Sequence, residues 1–331
     1  MTVDHEPGSS ATTVELEPFR VELTGYCYRM LGSPFDAEDA VQETFLRAWR
    51  SRASFDPSRA SLRTWVYSIA TNICLDTLKV ANRRRELAMD MGPPFPLGPD
   101  LGTPLPEAAW VLPIADALAL PATPDPAEEA VRRESIRLAF VAALQLLPPR
   151  QRAVLILRDV LRCTAKEAAT ILDTTTASIN SALQRARATL VGTRPVPAPL
   201  DTASDDLLGR YCEAFEHNDI EGMIALVHED GTTSMPPYPW WLRGRSAIEA
   251  ALRFAGDQCA GSRLVPVRAN GTTAVARYSP DGQGLLRPFG LTVIEWLDGQ
   301  AVSQTTFLEQ PSRLFAMFGL TDEFQEAASY T

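Results

Sequence analysis

The sequence predicts a multidomain chain of two all-α modules, the second a helix-turn-helix, followed by a C-terminal α+β domain with a curved antiparallel sheet. Three observations carry this prediction. Apolar residues recur at helical spacing over residues 16–80 and 136–190. Proline-rich stretches at residues 91–126 and 193–199 interrupt that pattern and exclude long regular elements. Beyond residue 200 two short helices give way to strands, with Asn270-Gly271 and Asp298-Gly299 as tight hairpin turns between them. The divisions are residues 14–90, a linker over 91–126, 127–192, and 200–331.

In the first module Leu16, Phe19, Leu23, Cys27 and Met30 form one apolar stripe, which Gly32 and Ser33-Pro34 end. A second helix from Asp36 buries Ala37, Val41, Phe45 and Ala48. Its other face carries Asp36, Asp39, Glu43 and Arg50, flanked by Gln42 and Arg47, with Leu46 exposed in the middle. A leucine set among charges marks either a protein partner or a solvated face with one stray apolar residue. The third helix, from Ser61, buries Leu62, Trp65, Val66, Ile69, Ile73 and Val80, places a paired Asp76 on the same stripe, and runs into Asn82-Arg83-Arg84-Arg85.

The second module predicts a helix over residues 136–147, another over 151–161, a third capped by Thr164, a short turn over 173–175, and a last helix to Leu190. Ile179, Leu183, Ala186 and Leu190 face inward. Ala177, Ser181 and Gln184 then point outward, with Ser178, Asn180 and Arg185 beside them and Arg187 nearer the edge. Glutamine suits adenine, and arginine suits guanine or phosphate, in a major groove.

Charge separates the modules. The chain carries a net charge of -10, yet residues 144–194 hold 8 basic and 3 acidic side chains, net +5. Residues 201–331 hold 9 basic and 18 acidic, net -9. Only the first of these suits DNA. The five cysteines are odd in number and never form C-x-x-C, and the three histidines show no ligand spacing, so reduced thiols and no metal are expected. The absence of an 18-residue apolar run or a signal pattern leads to the expectation of a cytoplasmic protein without membrane contact.

Four motifs in order then resemble the extracytoplasmic-function group of the sigma-70 superfamily: D-A-E-D-A-V-Q-E-T-F-L-R-A-W (36–49), S-L-R-T-W-V-Y-S-I-A-T-N-I-C-L-D (61–76), L-P-P-R-Q-R-A-V-L-I-L-R-D-V (147–160) and S-I-N-S-A-L-Q-R-A-R-A-T-L (178–190). The resemblance implies an alternative sigma factor with core RNA polymerase and promoter DNA as partners. It implies that Asp36, Asp39, Gln42, Glu43, Leu46 and Arg47 dock on the polymerase. Arg63, Asn72, Lys79, Arg83 and Arg84 would hold the -10 element, with Trp65 either a base-stacking aromatic or core. Thr175, Ser178, Asn180, Ser181, Gln184, Arg185 and Arg187 would read the -35 element. Asn180 and Ala182 stand where the family often has basic residues, which implies fewer contacts. The linker, with its apolar patch Trp110-Val111-Leu112-Pro113-Ile114, either threads through the polymerase or is a disordered spacer.

The C-terminal segment, with M-P-P-Y-P-W-W-L-R-G-R-S-A-I at 235–248, resembles the cone-shaped SnoaL-like fold. That fold implies a pocket, for which Tyr238, Trp240, Trp241, Arg243, Arg277, Glu295 and Trp296 are the candidate lining. Glu295 with Arg277 is either a catalytic pair or a simple cross-strand ion pair. The expectation is a domain that regulates the sigma modules, with a small-molecule sensor and an enzyme as alternatives, no cofactor, and an anti-sigma partner left unknown. The rival for the whole chain is a helix-turn-helix regulator with an effector-binding domain. It leaves the motifs at 36–49 and 61–76 without a purpose.

Overall fold

The computed structural model describes residues 16–80, 84–98, 100–123, 125–191 and 205–324. They form two compact units, one within residues 1–85 and 117–195, the other within 86–116 and 196–331.

In the first unit, α1 (Arg20–Leu31) stops at Gly32, whose φ of 72° needs the freedom of glycine. The α2 helix (Pro34–Arg50) opens on Ser33, whose hydroxyl accepts from the Asp36 amide, with Pro34 in the first turn. The α3 helix (Leu62–Val80) packs on both. Leu23, Tyr26, Met30, Val41, Val66 and Ile73 are buried here, and the Tyr26 hydroxyl meets the Thr71 hydroxyl at 2.7 Å. Val80, expected on the buried stripe, is 86% exposed because the helix outruns the cover of its neighbours. Asp76 also lies on the surface, paired with Lys79 at 2.8 Å.

The helices α4 (Pro126–Glu134), α5 (Leu138–Gln145), α6 (Pro149–Leu155), α7 (Ala165–Ile171) and α8 (Thr176–Val191) complete this unit. The helix expected over 136–147 starts only at Leu138, after a turn in which Ser135 is buried. α6 widens into a π turn at Ile156–Val160.

Two buried arginines join the halves of the unit. Arg29 of α1 donates to the Ser135 carbonyl at 3.0 Å, the Ser135 hydroxyl at 2.8 Å and the Gly25 carbonyl at 2.7 Å. Arg152 of α6 donates to the Met30 carbonyl, the Gln145 side-chain oxygen, and the carbonyls of Gln145 and Leu147. Burial lowers each guanidinium to about 10, still protonated at neutral pH.

In the second unit, residues 86–116 are folded onto the C-terminal domain, which corrects the spacer reading of the linker. Short helical turns occur at Ala88–Met91 and Glu107–Ala109. Trp110, Val111, Leu112 and Ile114 are buried. Asn270 grips the end of the segment from both sides: its amide donates to the Ile114 carbonyl at 3.1 Å, and its side-chain oxygen accepts from the Ile114 amide at 3.0 Å. The Gly271 amide donates to Asp116 at 2.8 Å. The second proline-rich stretch, 193–199, lies outside the described residues.

The domain itself comprises α9 (Asp205–Glu216), α10 (Ile220–Ala225), α11 (Arg245–Ala255) and α12 (Pro311–Met317) around six strands. These are β1 (Val227–Ser234), β2 (Trp241–Arg243), β3 (Arg263–Ala269), β4 (Thr272–Pro280), β5 (Leu286–Leu297) and β6 (Gln300–Phe307), in the order β2-β1-β6-β5-β4-β3. Positive φ at Asn270, Gly271, Asp298 and Gly299 closes the two expected hairpins. Register shifts at Arg277/Tyr278 and Glu295/Trp296 bend the strands. The sheet is mixed rather than wholly antiparallel, because β1 runs parallel to β6. The chain leaves β1 for β2 and α11 and returns beside it only at the last strand.

Replacing Arg152 by methionine leaves four oxygens without their donor, and should cost the first unit about 3 kcal/mol or more. Hydrogen exchange should show the loss of protection in α1, α5 and α6, with the sheet of the second unit unchanged.

Candidate functional site

The α2 helix turns Ala37, Ala40, Val41, Thr44 and Ala48 into the core. Its outer face presents Asp39, Gln42 and Arg47, with Leu46 at 49% exposure. Trp49, also 49% exposed, extends that apolar spot by one turn. Its three-residue offset from Leu46 was legible, but an aromatic at a helix end reads equally as core. Asp36 stands apart from this face: it holds the nearly buried Arg85 at 2.7 Å, so its charge is spent within the unit. Glu43 pairs with Arg47 at 2.6 Å.

The residues assigned to the -10 element do not form one patch of unengaged cations. Arg63 reaches Glu22 at 3.1 Å, stacks over the Tyr67 ring at 4.8 Å and lies 3.9 Å from the Cys163 sulfur. Asn72 and Arg84 are exposed, Lys79 faces Asp76, and Arg83 lies outside the described residues. Trp65 is half-buried and packs against Phe55 at 5.1 Å between ring centroids. Beside it is a hollow of about 580 Å³ lined by Phe55, Asp56, Arg59 and Trp65 on one side and by Lys166, Thr170 and Thr176 of the helix-turn-helix on the other. Arg59, in a loop rather than on a stripe, escaped a reading based on periodicity. Aromatic and cationic groups together suit an unstacked base.

Within the helix-turn-helix, Thr164 and Glu167 form a reciprocal cap: the Glu167 amide donates to the Thr164 hydroxyl at 3.2 Å and the Thr164 amide to the Glu167 carboxylate at 2.7 Å. The Thr164 amide and hydroxyl hold that carboxyl below its ordinary range. Thr175 caps α8, accepting from the Ser178 amide at 3.2 Å, so its hydroxyl and that of Ser178 are engaged at the helix start. Asn180, Ser181, Gln184 and Arg185 are exposed along one side, while Ile179, Leu183 and Ala186 are buried. Arg187 forms a two-point pair with Asp159 at 2.6 and 2.9 Å.

The second unit encloses a cavity of about 750 Å³. Of the seven residues expected there, Trp240 and Arg277 line it. Tyr238 packs against the Trp240 and Leu242 cluster. The Trp241 indole donates to the Gly92 carbonyl at 3.0 Å, and Arg243 sits 5.7 Å over its ring. Trp296 is core, its indole donating to Thr273 at 2.7 Å. Glu295 lies opposite Ser303, whereas Arg277 lies opposite Gly290. Strand alternation puts Glu295 on the face away from Thr292 and Ile294, so Glu295 and Arg277 form neither a catalytic nor a cross-strand pair. The wall also includes Met223, Phe254, Phe289 and, from the linker, Leu97 and Leu101. A linker residue in a domain's wall leaves no local trace in sequence.

Compared with known proteins, residues 17–84 match the family Sigma-70 region 2, residues 137–190 match Sigma-70, region 4, and residues 208–304 match the SnoaL-like domain. The chain is 42% identical over 316 residues to the ECF RNA polymerase sigma factor SigG of Mycobacterium tuberculosis, covering 92% of this chain and 83% of that one. It is 32% identical over 219 residues to SigJ of the same organism, 66% of this chain and 62% of that one. The crystal structure of SigJ shares its fold, with a TM-score of 0.59 at 24% identity over 93% of this chain and 99% of that chain.

Thr164→Ala should destabilise the helix-turn-helix by about 1 kcal/mol in urea unfolding. The Glu167 contribution, its folded carboxyl being the more acidic, is present above its unfolded pKa and lost as pH falls through the folded value. The variant should accordingly show a shallower loss of stability in acid than the parent.

Proposed function

The chain belongs to the extracytoplasmic-function sigma factors of RNA polymerase, and from that premise we propose how its surfaces divide the work of directing promoter-specific transcription and how the appended domain governs it. Core polymerase is engaged by the outer face of α2, with Leu46 and Trp49 as apolar anchors and Asp39, Gln42, Glu43 and Arg47 around them; Asp36 acts by positioning Arg85. Promoter DNA at the -10 element is held by Asn72, Lys79, Arg83 and Arg84, joined by Arg63 once it exchanges Glu22 for phosphate. The -35 element is read by Asn180, Ser181, Gln184 and Arg185, while Thr175 and Ser178 start the helix and Arg187 contacts phosphate.

The C-terminal domain regulates these activities through the linker. The observation that carries this reading is that residues 86–116, on the covalent path from the first sigma module to the second, share a compact unit with that domain and are hydrogen-bonded to it at Gly92, Phe95, Leu105, Ile114 and Asp116. The -10 and -35 elements lie about 25 base pairs apart, about 85 Å of duplex. A compact unit of this size has a radius of gyration of only about 15 Å. The two modules must therefore separate to read both elements, and the path between them lengthens only if the linker is released or its carrier moves. The cavity of the domain then serves a small molecule that sets the linker's hold.

Leu46→Ala and Asp39→Arg should each weaken assembly with core polymerase about tenfold, measured by fluorescence anisotropy. Wild-type affinity in both would refute the docking face. On a randomised promoter library Arg185→Ala should relax one or two -35 positions, at about 1 to 3 kcal/mol each, while Arg187→Ala lowers all promoters together. Chains ended after Val191 should give altered output from a cognate promoter at matched concentration. Equal output at every salt level, with the C-terminal domain touching neither sigma modules nor polymerase, would sink the regulatory reading.

A further inference from the structure

The wall of the 750 Å³ cavity is apolar except for a few hydroxyl and amide groups and a single charge, Arg277. Among the described residues that line it there is no Asp, Glu, His or Lys. Arg277 is partly withdrawn from water, stacked 4.1 Å over Phe289 and 5.2 Å over Phe215. Its contacts are the Ser279 hydroxyl at 2.9 Å, the Ser262 hydroxyl at 3.1 Å, the Gln258 carbonyl at 3.3 Å and the Cys259 thiol, none of them a carboxylate. A cation kept among aromatic rings without a counter-ion is costly unless something supplies one. At the rim, Leu97, Phe254 and Phe289 are 57%, 63% and 40% exposed, three large apolar groups left in water around one opening. Such surface is uncommon where nothing binds.

We propose that this cavity receives an organic acid, a drug-sized apolar body carrying one carboxylate or phenolate that pairs with Arg277, and that the linker residues Leu97 and Leu101 close on that body. One negative charge is required because the wall offers one positive charge; a phosphate dianion would keep an unmatched charge in an apolar site. The volume falls within the range of pockets that bury a drug-sized ligand. Among the described residues the wall holds no carboxylate, imidazole or amine to act as general acid or base, which suits reception rather than turnover. The coupling to transcription rests on the regulatory reading above, and its route is short. The Phe95 amide donates to the Trp241 carbonyl at 2.9 Å and the Leu105 amide to the Pro237 carbonyl at 2.8 Å. They pin both sides of the stretch that carries Leu97 and Leu101, so a ligand touching these leucines tightens the linker where it is already held.

The test uses the full chain with 8-anilinonaphthalene-1-sulfonate as the fluorescent probe, displaced by palmitate or 1-naphthoate and by their neutral counterparts, hexadecanol and 1-naphthalenemethanol. At least one acid should displace the probe at a concentration ten or more times lower than its alcohol, and the better acid identifies an aliphatic or an aromatic source. Arg277→Gln should abolish the preference for acid over alcohol, and Arg277→Lys should keep it, which separates charge recognition from any loss of packing. Leu97→Ser, an uncharged change at an exposed rim position, should weaken acid and alcohol alike. Bound acid should slow hydrogen exchange over residues 92–105. Equal displacement by acid and alcohol, no saturable displacement by either acid, or an undiminished preference in Arg277→Gln would overturn the inference. Tight acid binding with no change in promoter output would leave the ligand assignment standing and defeat the regulatory reading instead.

Discussion

Residues 86–116 must satisfy their backbone polar groups somewhere, and they do so partly among themselves, where Glu86 pairs with Ala109 and Val111, and partly on the C-terminal domain. Its prolines, which lack an amide hydrogen, keep the segment from closing all of them within regular elements of its own. Asn270 takes both the amide and the carbonyl of Ile114, Gly271 binds Asp116, and Trp241 binds Gly92 through its indole and Phe95 through its carbonyl. Burial of Trp110, Val111 and Ile114 adds apolar stabilisation of several kcal/mol at about 1.5 to 3 kcal/mol per large side chain. The chain that joins the two sigma regions has thus become part of another domain's core.

The first unit shows the complementary constraint. Arg29 and Arg152 hold its halves together, yet each is buried against carbonyl, amide and hydroxyl oxygens without a carboxylate beside it. Such contacts satisfy the donors but do not neutralise the charge, and burial accordingly depresses both guanidinium groups. Separation of the modules would return these cations to water and recover solvation. That recovery offsets part of the packing lost, so a compact arrangement of this kind need not be deep in energy to be specific. Arg63 differs from Arg29 and Arg152 in having a carboxylate partner, Glu22 at 3.1 Å.

What residue order determined by itself is local. Helical spacing identifies α1, α2 and α3 because apolar side chains three and four apart must share a face. Thr164 with Glu167 announces the start of α7, and Asn270-Gly271 with Asp298-Gly299 announce hairpins because positive φ is easiest there. The exposure of Leu46 and the outward side of α8 follow from the same periodicity.

Tertiary structure alone decided everything that depends on which surfaces meet across long stretches of chain. Val80 lost its cover because neighbouring helices end sooner, and Asp36 was taken by Arg85 from 49 positions away. The parallel pairing of β1 with β6 joins strands some 70 residues apart, a separation that no turn chemistry encodes. Arg277 and Glu295 looked like partners on neighbouring strands, but the register of β4 and β5 turned them to opposite faces. The cavity wall was legible only at Trp240 and Arg277, since its remaining members come from helices, distant strands and a linker whose composition left it either threaded through a partner or a spacer. Periodicity reports which side of an element is apolar; the identity of the surface that covers it is a long-range free-energy choice.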